Sequence, residues 1–118
     1  MCKVAIVGSR RFTNYGYMCQ ILDTARDNGK IDLIVSGGAK GADSLAQHYA
    51  KDNGIPILIY YPDWDKHNKA AGVIRNQHIV DEADIMIAFA YDDSIGTRDS
   101  IRKMEKAKKP VAVIELDQ

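Results

Sequence analysis

The sequence has 118 residues, 46% of them hydrophobic and 27% charged, and it balances 16 basic residues against 16 acidic ones. This length and composition predict one globular domain over residues 1–118, with enough apolar residues for a core of ordinary size. A formal net charge of +0 excludes a general attraction to nucleic acid or anionic lipid, so any phosphate binding must come from a local site.

Short apolar runs and amphipathic stretches alternate along the chain. Continuous apolar runs predict five buried strands at residues 3–7, 31–35, 57–61, 84–89 and 110–114. Helical spacing of apolar residues predicts four helices, one around 18–25 and others at 44–51, 71–82 and 96–108. Residues 63–69 show no clear period, and we expect a loop there. The alternation predicts the α/β class, with a five-stranded parallel sheet and helices on both faces, because each crossover between parallel strands must be right-handed and helical.

The predicted sheet determines where a ligand would bind. Ligands of such sheets occupy the crevice outside the carboxyl ends of the strands, near the switch in strand order. The loops after Val7, Val35, Tyr61 and Phe89 therefore lie on one rim. Most residues suited to chemistry or binding fall in these loops, so we expect them to form one pocket.

A glycine-rich turn at residues 36–43 joins the second predicted strand to the second predicted helix. Glycine lacks a Cβ, so Gly37, Gly38 and Gly41 permit left-handed backbone angles and close approach of a ligand. The helix that follows directs unpaired N–H groups at the turn, which favours a bound anion such as phosphate. The pattern is neither the dinucleotide fingerprint nor the P-loop, and a plain tight turn explains it equally well.

Polar residues in this turn and in the first loop add candidates. Ser36 and Lys40 could bind a ligand, whereas Asp43 either stabilises the helix N-terminus or accepts a ribose hydroxyl. The first loop, at residues 8–11, carries Gly8, Ser9 and two arginines. Arginine holds phosphate in a bidentate manner, although solvated surface charge is the alternative for each.

The later loops contribute an aromatic residue and further donors. Trp64 could stack on a base or close the edge of the core. Arg75 and Asn76 group strong donors in the N-terminal half of the third predicted helix, where exposed helix charge is the alternative. Gly96-Thr97 forms a second helix start that could hold phosphate. Asp99 and other aspartates flank it and could perform acid–base chemistry on a glycosidic bond, or simply cap turns.

No metal or cofactor is predicted. His67 and His78 lack a third ligand in a recognisable pattern, and Cys2 and Cys19 lack metal-ligand spacing, which favours reduced thiols. No apolar run could span a bilayer and no signal-peptide pattern is present, so we expect a cytoplasmic protein with no membrane partner.

Five segments together form a distinctive set: Gly8-Ser9-Arg10, Ser36-Gly37-Gly38-Ala39-x-Gly41-Ala42-Asp43, Asp63-Trp64, Ala70-Ala71-Gly72-x-x-Arg75-Asn76 and Gly96-Thr97. They resemble the YspA-like, or YAcAr, family of the SLOG superfamily, whose wider members include the LOG phosphoribohydrolases and the DNA-processing protein DprA. The resemblance covers nearly the whole chain in the right order. It implies a Rossmann-like fold, a pocket for nucleotides or their derivatives, and frequent self-association. It also implies roles in bacterial or phage conflict, in the host cytoplasm if the protein is phage-encoded.

The resemblance to the LOG enzymes is incomplete. Those enzymes use a Pro-Gly-Gly-x-Gly-Thr-x-x-Glu segment with an essential glutamate, assisted by an arginine on the preceding helix. Gly96-Thr97 and Arg75 match that pattern, but Ser100 stands at the glutamate position. A serine cannot stabilise positive charge on the sugar as a carboxylate does, and Asp99 would point about 100° away on an ideal helix. The chain is therefore expected to bind rather than to hydrolyse.

We expect a sensor or sequestering protein for a nucleotide or nucleotide-derived small molecule. One alternative is a nucleotide N-glycosidase or phosphoribohydrolase, with Arg75, Asp43 and Asp99 as catalytic candidates. A second is DprA-like binding of single-stranded nucleic acid, which the neutral charge disfavours. A homodimer or higher oligomer is the expected assembly. The candidate ligand-binding residues are Gly8, Ser9, Arg10, Ser36, Gly37, Gly38, Lys40, Gly41, Asp43, Trp64, Arg75, Asn76, Gly96 and Thr97.

Overall fold

The computed structural model describes residues 2–116 and contains a five-stranded sheet flanked by helices. The strands are β1 (Lys3–Gly8), β2 (Leu33–Ser36), β3 (Ile57–Ile59), β4 (Ile85–Ala90) and β5 (Val111–Glu115). The helices are α1 (Tyr15–Asn28), α2 (Ala42–Asn53), α3 (Trp64–His67), α4 (Ala71–Glu82) and α5 (Ile95–Lys106). Every neighbouring pair of strands is parallel, in the order β3-β2-β1-β4-β5. The predicted α/β, Rossmann-like fold is confirmed.

The central strand β1 divides the core into two layers. Val4 and Ile6 belong to a buried cluster with residues of α1 and α2, whereas Ala5 and Val7 belong to another with residues of α4 and α5. Successive side chains of a strand point to opposite faces of the sheet. A continuous apolar strand therefore needs helices on both sides, as the sequence predicted.

The residues that cap the helices are of the types that helix ends require. The Asn14 side chain accepts a hydrogen bond from the Tyr17 N–H at 3.0 Å and so caps α1. Gly54 ends α2 in the left-handed conformation, with a φ of 63° that glycine adopts without strain. These contacts fix the positions at which the chain enters and leaves the sheet.

The segment before α4 differs from the prediction. Residues 63–69 were expected to form a loop, but Trp64–His67 form one helical turn and Asn68–Ala70 form a 3-10 turn that leads into α4. The Asp63 side chain starts the first turn by accepting a hydrogen bond from the Lys66 N–H at 3.1 Å. Four residues are too few to show a helical period in the sequence. Strand β3 is also shorter than predicted and ends at Ile59.

The strand order places the switch point between β1 and β4. The chain runs from β1 outward through β2 to β3, then returns to β4 on the other side of β1. The loop after β1 leads to α1 on one face, and the loop after β4 leads to α5 on the other. A crevice opens where such connections diverge, and this is the usual place for a ligand. Within residues 2–116, none of the helices has the length and apolar character that a membrane crossing needs.

Candidate functional site

A cavity of about 390 Å³ opens at the carboxyl ends of β1 and β4. Its size lies within the range of small-ligand pockets. Its walls come from the loop after β1, from the N-terminal portions of α2 and α5, and from the middle of α4. The predicted site residues that line it are Gly8, Ser9, Arg10, Asp43, Arg75, Asn76, Gly96 and Thr97. We call this space the main cavity.

A second cavity of about 310 Å³ adjoins the main cavity on the β3 side. Predicted site residues Gly37, Gly38 and Trp64 line it, and Tyr61 and Pro62 complete its wall. We call it the aromatic cleft. Arg10, Ala39 and Arg75 line both spaces. The four predicted residues that line neither space are Ser36, Lys40, Gly41 and Asp99.

The glycine turn is packed against the protein's own atoms. A Cβ on Gly37 would lie 2.5 Å from the Arg75 guanidinium, and one on Gly38 would lie 2.5 Å from the Tyr61 ring. A Cβ on Gly41 would overlap the carbonyl oxygen of Ser9. Gly38 and Gly41 also have φ of +70° and +75°, which glycine adopts readily. Internal packing alone therefore requires glycine at these three positions.

Ser9 ties the first loop to the start of α2. Its carbonyl oxygen accepts hydrogen bonds from the N–H groups of Phe12 at 3.2 Å and Ala42 at 3.1 Å. Its hydroxyl accepts a bond from the Arg11 N–H at 3.1 Å. Although Ser9 lines the main cavity, its polar atoms act chiefly in holding the cavity wall.

Asp43 is a buried carboxylate between the glycine turn and the main cavity. One of its oxygens accepts a hydrogen bond from the Ala39 N–H at 3.1 Å, so the side chain fixes the turn. Burial raises the pKa of Asp43, and it outweighs the opposing effects of the Ala39 N–H and the Arg75 charge. The buried Ser36 hydroxyl also lowers this pKa, yet it lies outside the geometry of a hydrogen bond with any described residue. Asp43 therefore has a structural role in the glycine turn, whereas no side chain caps the start of α2.

Arg75 separates the main cavity from the aromatic cleft. Its guanidinium donates hydrogen bonds to the Gly37 carbonyl oxygen and, at 2.9 Å, to Asn76 Oδ1. Burial lowers the pKa of Arg75, with the nearby Asp43 carboxylate acting in the opposite sense. An arginine remains charged under these conditions. The protein thus holds a fixed positive charge at the boundary of the two spaces.

The two arginines of the first loop differ in their contacts. Arg11 forms an ion pair with Asp93 at 2.6 Å, and its guanidinium lies 4.4 Å from the centre of the Tyr91 ring. Arg10 is exposed, and among residues 2–116 it has no hydrogen-bonding or ion-pair partner for its guanidinium. Because Arg10 lines both spaces, its charge is available to an anionic ligand in either.

The start of α5 supplies the free backbone donors of the main cavity. The Ile95 N–H donates to the Asp93 carbonyl oxygen and the Arg98 N–H donates to that of Ser94. The N–H groups of Gly96 and Thr97 have no acceptor among the described residues. A Cβ on Gly96 would meet no atom within 4 Å, so the helix end is open. Free N–H groups at the positive end of a helix form an anion site.

Asp99 takes no part in this wall. It accepts hydrogen bonds from Lys103 at 2.7 and 2.8 Å and from Asn76 at 3.1 Å. Burial acts to raise the pKa of Asp99, but those hydrogen bonds and the Lys103 charge outweigh it and lower the pKa overall. Ser100 lies one residue further on, where it is buried and lines the main cavity. The carboxylate of Asp99 is thus committed to joining α4 and α5.

Several residues of the two spaces were not among the sequence candidates. Ala39, Ser94 and Ser100 line the main cavity, and Tyr61 lines the aromatic cleft. Small residues such as alanine and serine give no sequence signal for a ligand. Tyr61 was assigned to the third strand, and only the early end of β3 at Ile59 places it on the rim.

Comparison with known proteins gives three findings. The model of the YspA, cpYpsA-related SLOG family matches residues 2–67. The Gene 61 protein of Mycobacterium phage D29 is 35% identical to this chain, in an alignment that covers 94% of each. The X-ray structure of DNA processing protein A (DprA) from Streptococcus pneumoniae superposes with a TM-score of 0.77 at 21% identity. That match covers 96% of this chain and 50% of the DprA chain, so this chain spans half of DprA's length and the likeness is one of fold.

Proposed function

The chain belongs to the YspA, cpYpsA-related SLOG family, and from that premise we propose that it binds a nucleotide or a nucleotide-derived small molecule in the main cavity. In this proposal the protein senses or sequesters its ligand. The phage origin of this relative supports action in the host cytoplasm. A role in conflict between phage and bacterium belongs to the same proposal. Self-association belongs to the same proposal.

The observation that carries the proposal is the open start of α5. The N–H groups of Gly96 and Thr97 lack acceptors among the described residues and stand in the wall of the main cavity. A phosphate there would accept a hydrogen bond from each of these N–H groups, and the positive end of the helix dipole would stabilise its negative charge. Arg10, which has no partner of its own in the described chain, would neutralise further charge. Arg75 would add a second, fixed positive charge.

Binding fits the available side chains better than hydrolysis does. Cleavage of an N-glycosidic bond needs a carboxylate that can stabilise positive charge on the sugar. Among residues 2–116, the carboxylates in the wall of the main cavity are those of Asp43 and Asp93. Asp43 holds the Ala39 N–H and Asp93 is paired with Arg11. Asp99 lies outside the wall. We therefore propose that the site binds its ligand without cleaving it.

Thermal unfolding in the presence of ligands tests the proposal. A ligand at 100 times its Kd stabilises a protein by about 2.7 kcal/mol, which raises the Tm of a domain of this size by about 10 °C. We expect such a shift with at least one of AMP, ADP, ADP-ribose or a cyclic dinucleotide at millimolar concentration. No shift with any of them would remove the proposal.

Two matched variants link the shift to the site. Arg10→Ala removes a charge that lines both spaces, whereas Lys40→Ala removes an exposed charge that lines neither. We expect Arg10→Ala to reduce the ligand-induced shift and Lys40→Ala to preserve it. Equal shifts in both variants would place the ligand elsewhere. Base release on chromatography after long incubation with AMP would instead favour the hydrolase.

A further inference from the structure

The structure contains a second recognition element that the phosphate site does not use, namely the aromatic cleft. Building on the proposed function, we propose that this cleft binds the aromatic ring of the ligand while the ligand's phosphates extend through the main cavity to the start of α5. The ligand is then an extended nucleotide, in which a nucleoside diphosphate carries a further group. A nucleoside monophosphate would fill only part of the site.

Exposure singles out the two aromatic residues of the cleft. Tyr61 and Trp64 are 67% and 52% exposed, whereas every other aromatic side chain of residues 2–116 is buried or partly buried. Large exposed apolar side chains at the wall of a cavity mark a binding surface. Stacking on a base uses such side chains irrespective of which base is bound.

Contacts within the protein hold the cleft in shape. The Tyr61 ring packs on the backbone of Gly38, where a Cβ would lie 2.5 Å from it. Trp64 begins the helical turn α3, which the Asp63 side chain caps, and its ring lies near Gly72 at the start of α4. A preformed aromatic surface loses little conformational entropy when a ring binds to it.

The two spaces share a positively charged boundary. Arg10, Ala39 and Arg75 belong to the walls of both. A ligand that occupies both must pass these two guanidinium groups, so its central part is anionic. A diphosphate that extends from this boundary toward the start of α5 would face one fixed arginine and one arginine without a protein partner among the described residues. It would then reach the N–H groups of Gly96 and Thr97 in the main cavity.

The strand order gives the length of the ligand. The cleft follows β3, and the start of α5 follows β4, three strand positions away in the order β3-β2-β1-β4. Neighbouring strands lie about 4.8 Å apart, so the two ends of the site are separated by roughly 14 Å. A nucleoside monophosphate does not reach across this distance. A nucleoside diphosphate with a linked sugar does.

Trp64 is the sole tryptophan of the sequence, so its fluorescence reports directly on the cleft. We would titrate the wild-type protein with ribose 5-phosphate, AMP and ADP-ribose, and follow both heat of binding and tryptophan fluorescence. We expect ADP-ribose to bind at least tenfold more tightly than AMP and to quench the fluorescence. Ribose 5-phosphate, which has no aromatic ring, should bind weakly and leave the fluorescence unchanged.

Variants of the cleft distinguish the proposal of an extended ligand from the more general proposal of nucleotide binding. Trp64→Ala should weaken ADP-ribose about tenfold, as loss of one stacking partner does, and Trp64→Phe should restore most of the affinity. Val73→Ala is the matched control, because Val73 is 51% exposed and lines neither space. Equal affinities for AMP and ADP-ribose, with no effect of Trp64→Ala, would overturn the extended ligand but leave nucleotide binding intact. Absence of binding by all three probes would overturn both proposals.

Discussion

The two glycine-bearing helix starts of this protein have opposite physical roles. Before α2, the protein's own atoms occupy the space beside Gly37, Gly38 and Gly41. At the start of α5, the space beside Gly96 is empty to 4 Å, and two backbone N–H groups have no acceptor within the described chain. The first start, with Gly37, Gly38 and Gly41, packs against the protein itself, and we call it the internal joint. The second start is open to the main cavity.

The difference shows that a glycine cluster is not in itself evidence of a phosphate site. Glycine is required wherever the backbone has a positive φ or another group comes too close for a Cβ. Near α2 those groups are the Arg75 guanidinium, the Tyr61 ring and the Ser9 carbonyl oxygen. They join three rim loops to the turn. The turn therefore organises the site, and the α5 start offers the donors.

The largest effect is expected at the internal joint. Gly41→Ala would place a Cβ against the Ser9 carbonyl oxygen at a φ of +75°, which combines steric overlap with backbone strain. Each of these costs about 1–3 kcal/mol, so we expect a loss of about 3 kcal/mol or more in the free energy of unfolding. Urea denaturation measures it. A loss below 1 kcal/mol would show that the joint is looser than described.

A double-mutant cycle tests the contact between Gly37 and Arg75. Gly37→Ala should destabilise the protein because its Cβ meets the guanidinium, and the cost should fall when Arg75→Ala removes that group. Residues in contact commonly show coupling energies of 0.5–3 kcal/mol, and we expect about 1–2 kcal/mol here. Additive effects of the two substitutions would mean that Arg75 does not occupy the space beside Gly37.

Asp43 should leave a signature in the pH dependence of stability. Its pKa is raised in the folded state by burial, so folding favours the protonated form. Stability therefore falls as pH rises from the unfolded pKa through the folded one, and the cost persists at neutral pH. Asp43→Asn keeps an acceptor for the Ala39 N–H and removes this cost. The stability difference between variant and wild type should grow from pH 4 to pH 7. A constant difference over this range would contradict the raised pKa.

The smallest effect on folding is expected at the start of α5. Gly96→Ala adds a Cβ into open space and replaces glycine by a better helix former. We expect the free energy of unfolding to change by no more than about 0.5 kcal/mol. Because alanine is the better helix former, the expected direction is an increase. The same variant should weaken nucleotide binding, because Gly96 lines the main cavity and a methyl group there reduces the space beside its N–H. Unchanged affinity in calorimetry would move the anion away from this helix end.

The fold was predictable from the sequence because each buried strand carries a continuous apolar run and each long helix a regular stripe. The α3 turn was missed because its four residues depend on one capping contact of Asp63. The position of the main cavity on the rim also followed from the predicted sheet. The separation of the rim into the main cavity and the aromatic cleft could not be predicted, because it depends on where the Arg75 and Tyr61 side chains pack. Such tertiary contacts have no local sequence pattern.

The most direct test of the account is a titration of isotope-labelled protein with ADP-ribose, followed by the backbone amide signals in NMR. We expect the largest shifts at Gly96 and Thr97, whose N–H groups lack acceptors in the described chain, and smaller shifts at Gly41. The side-chain signal of Trp64 should move in the same titration. Shifts concentrated at residues 37–41, with Gly96 and Thr97 unchanged, would contradict the central claim that the open helix start binds the anion.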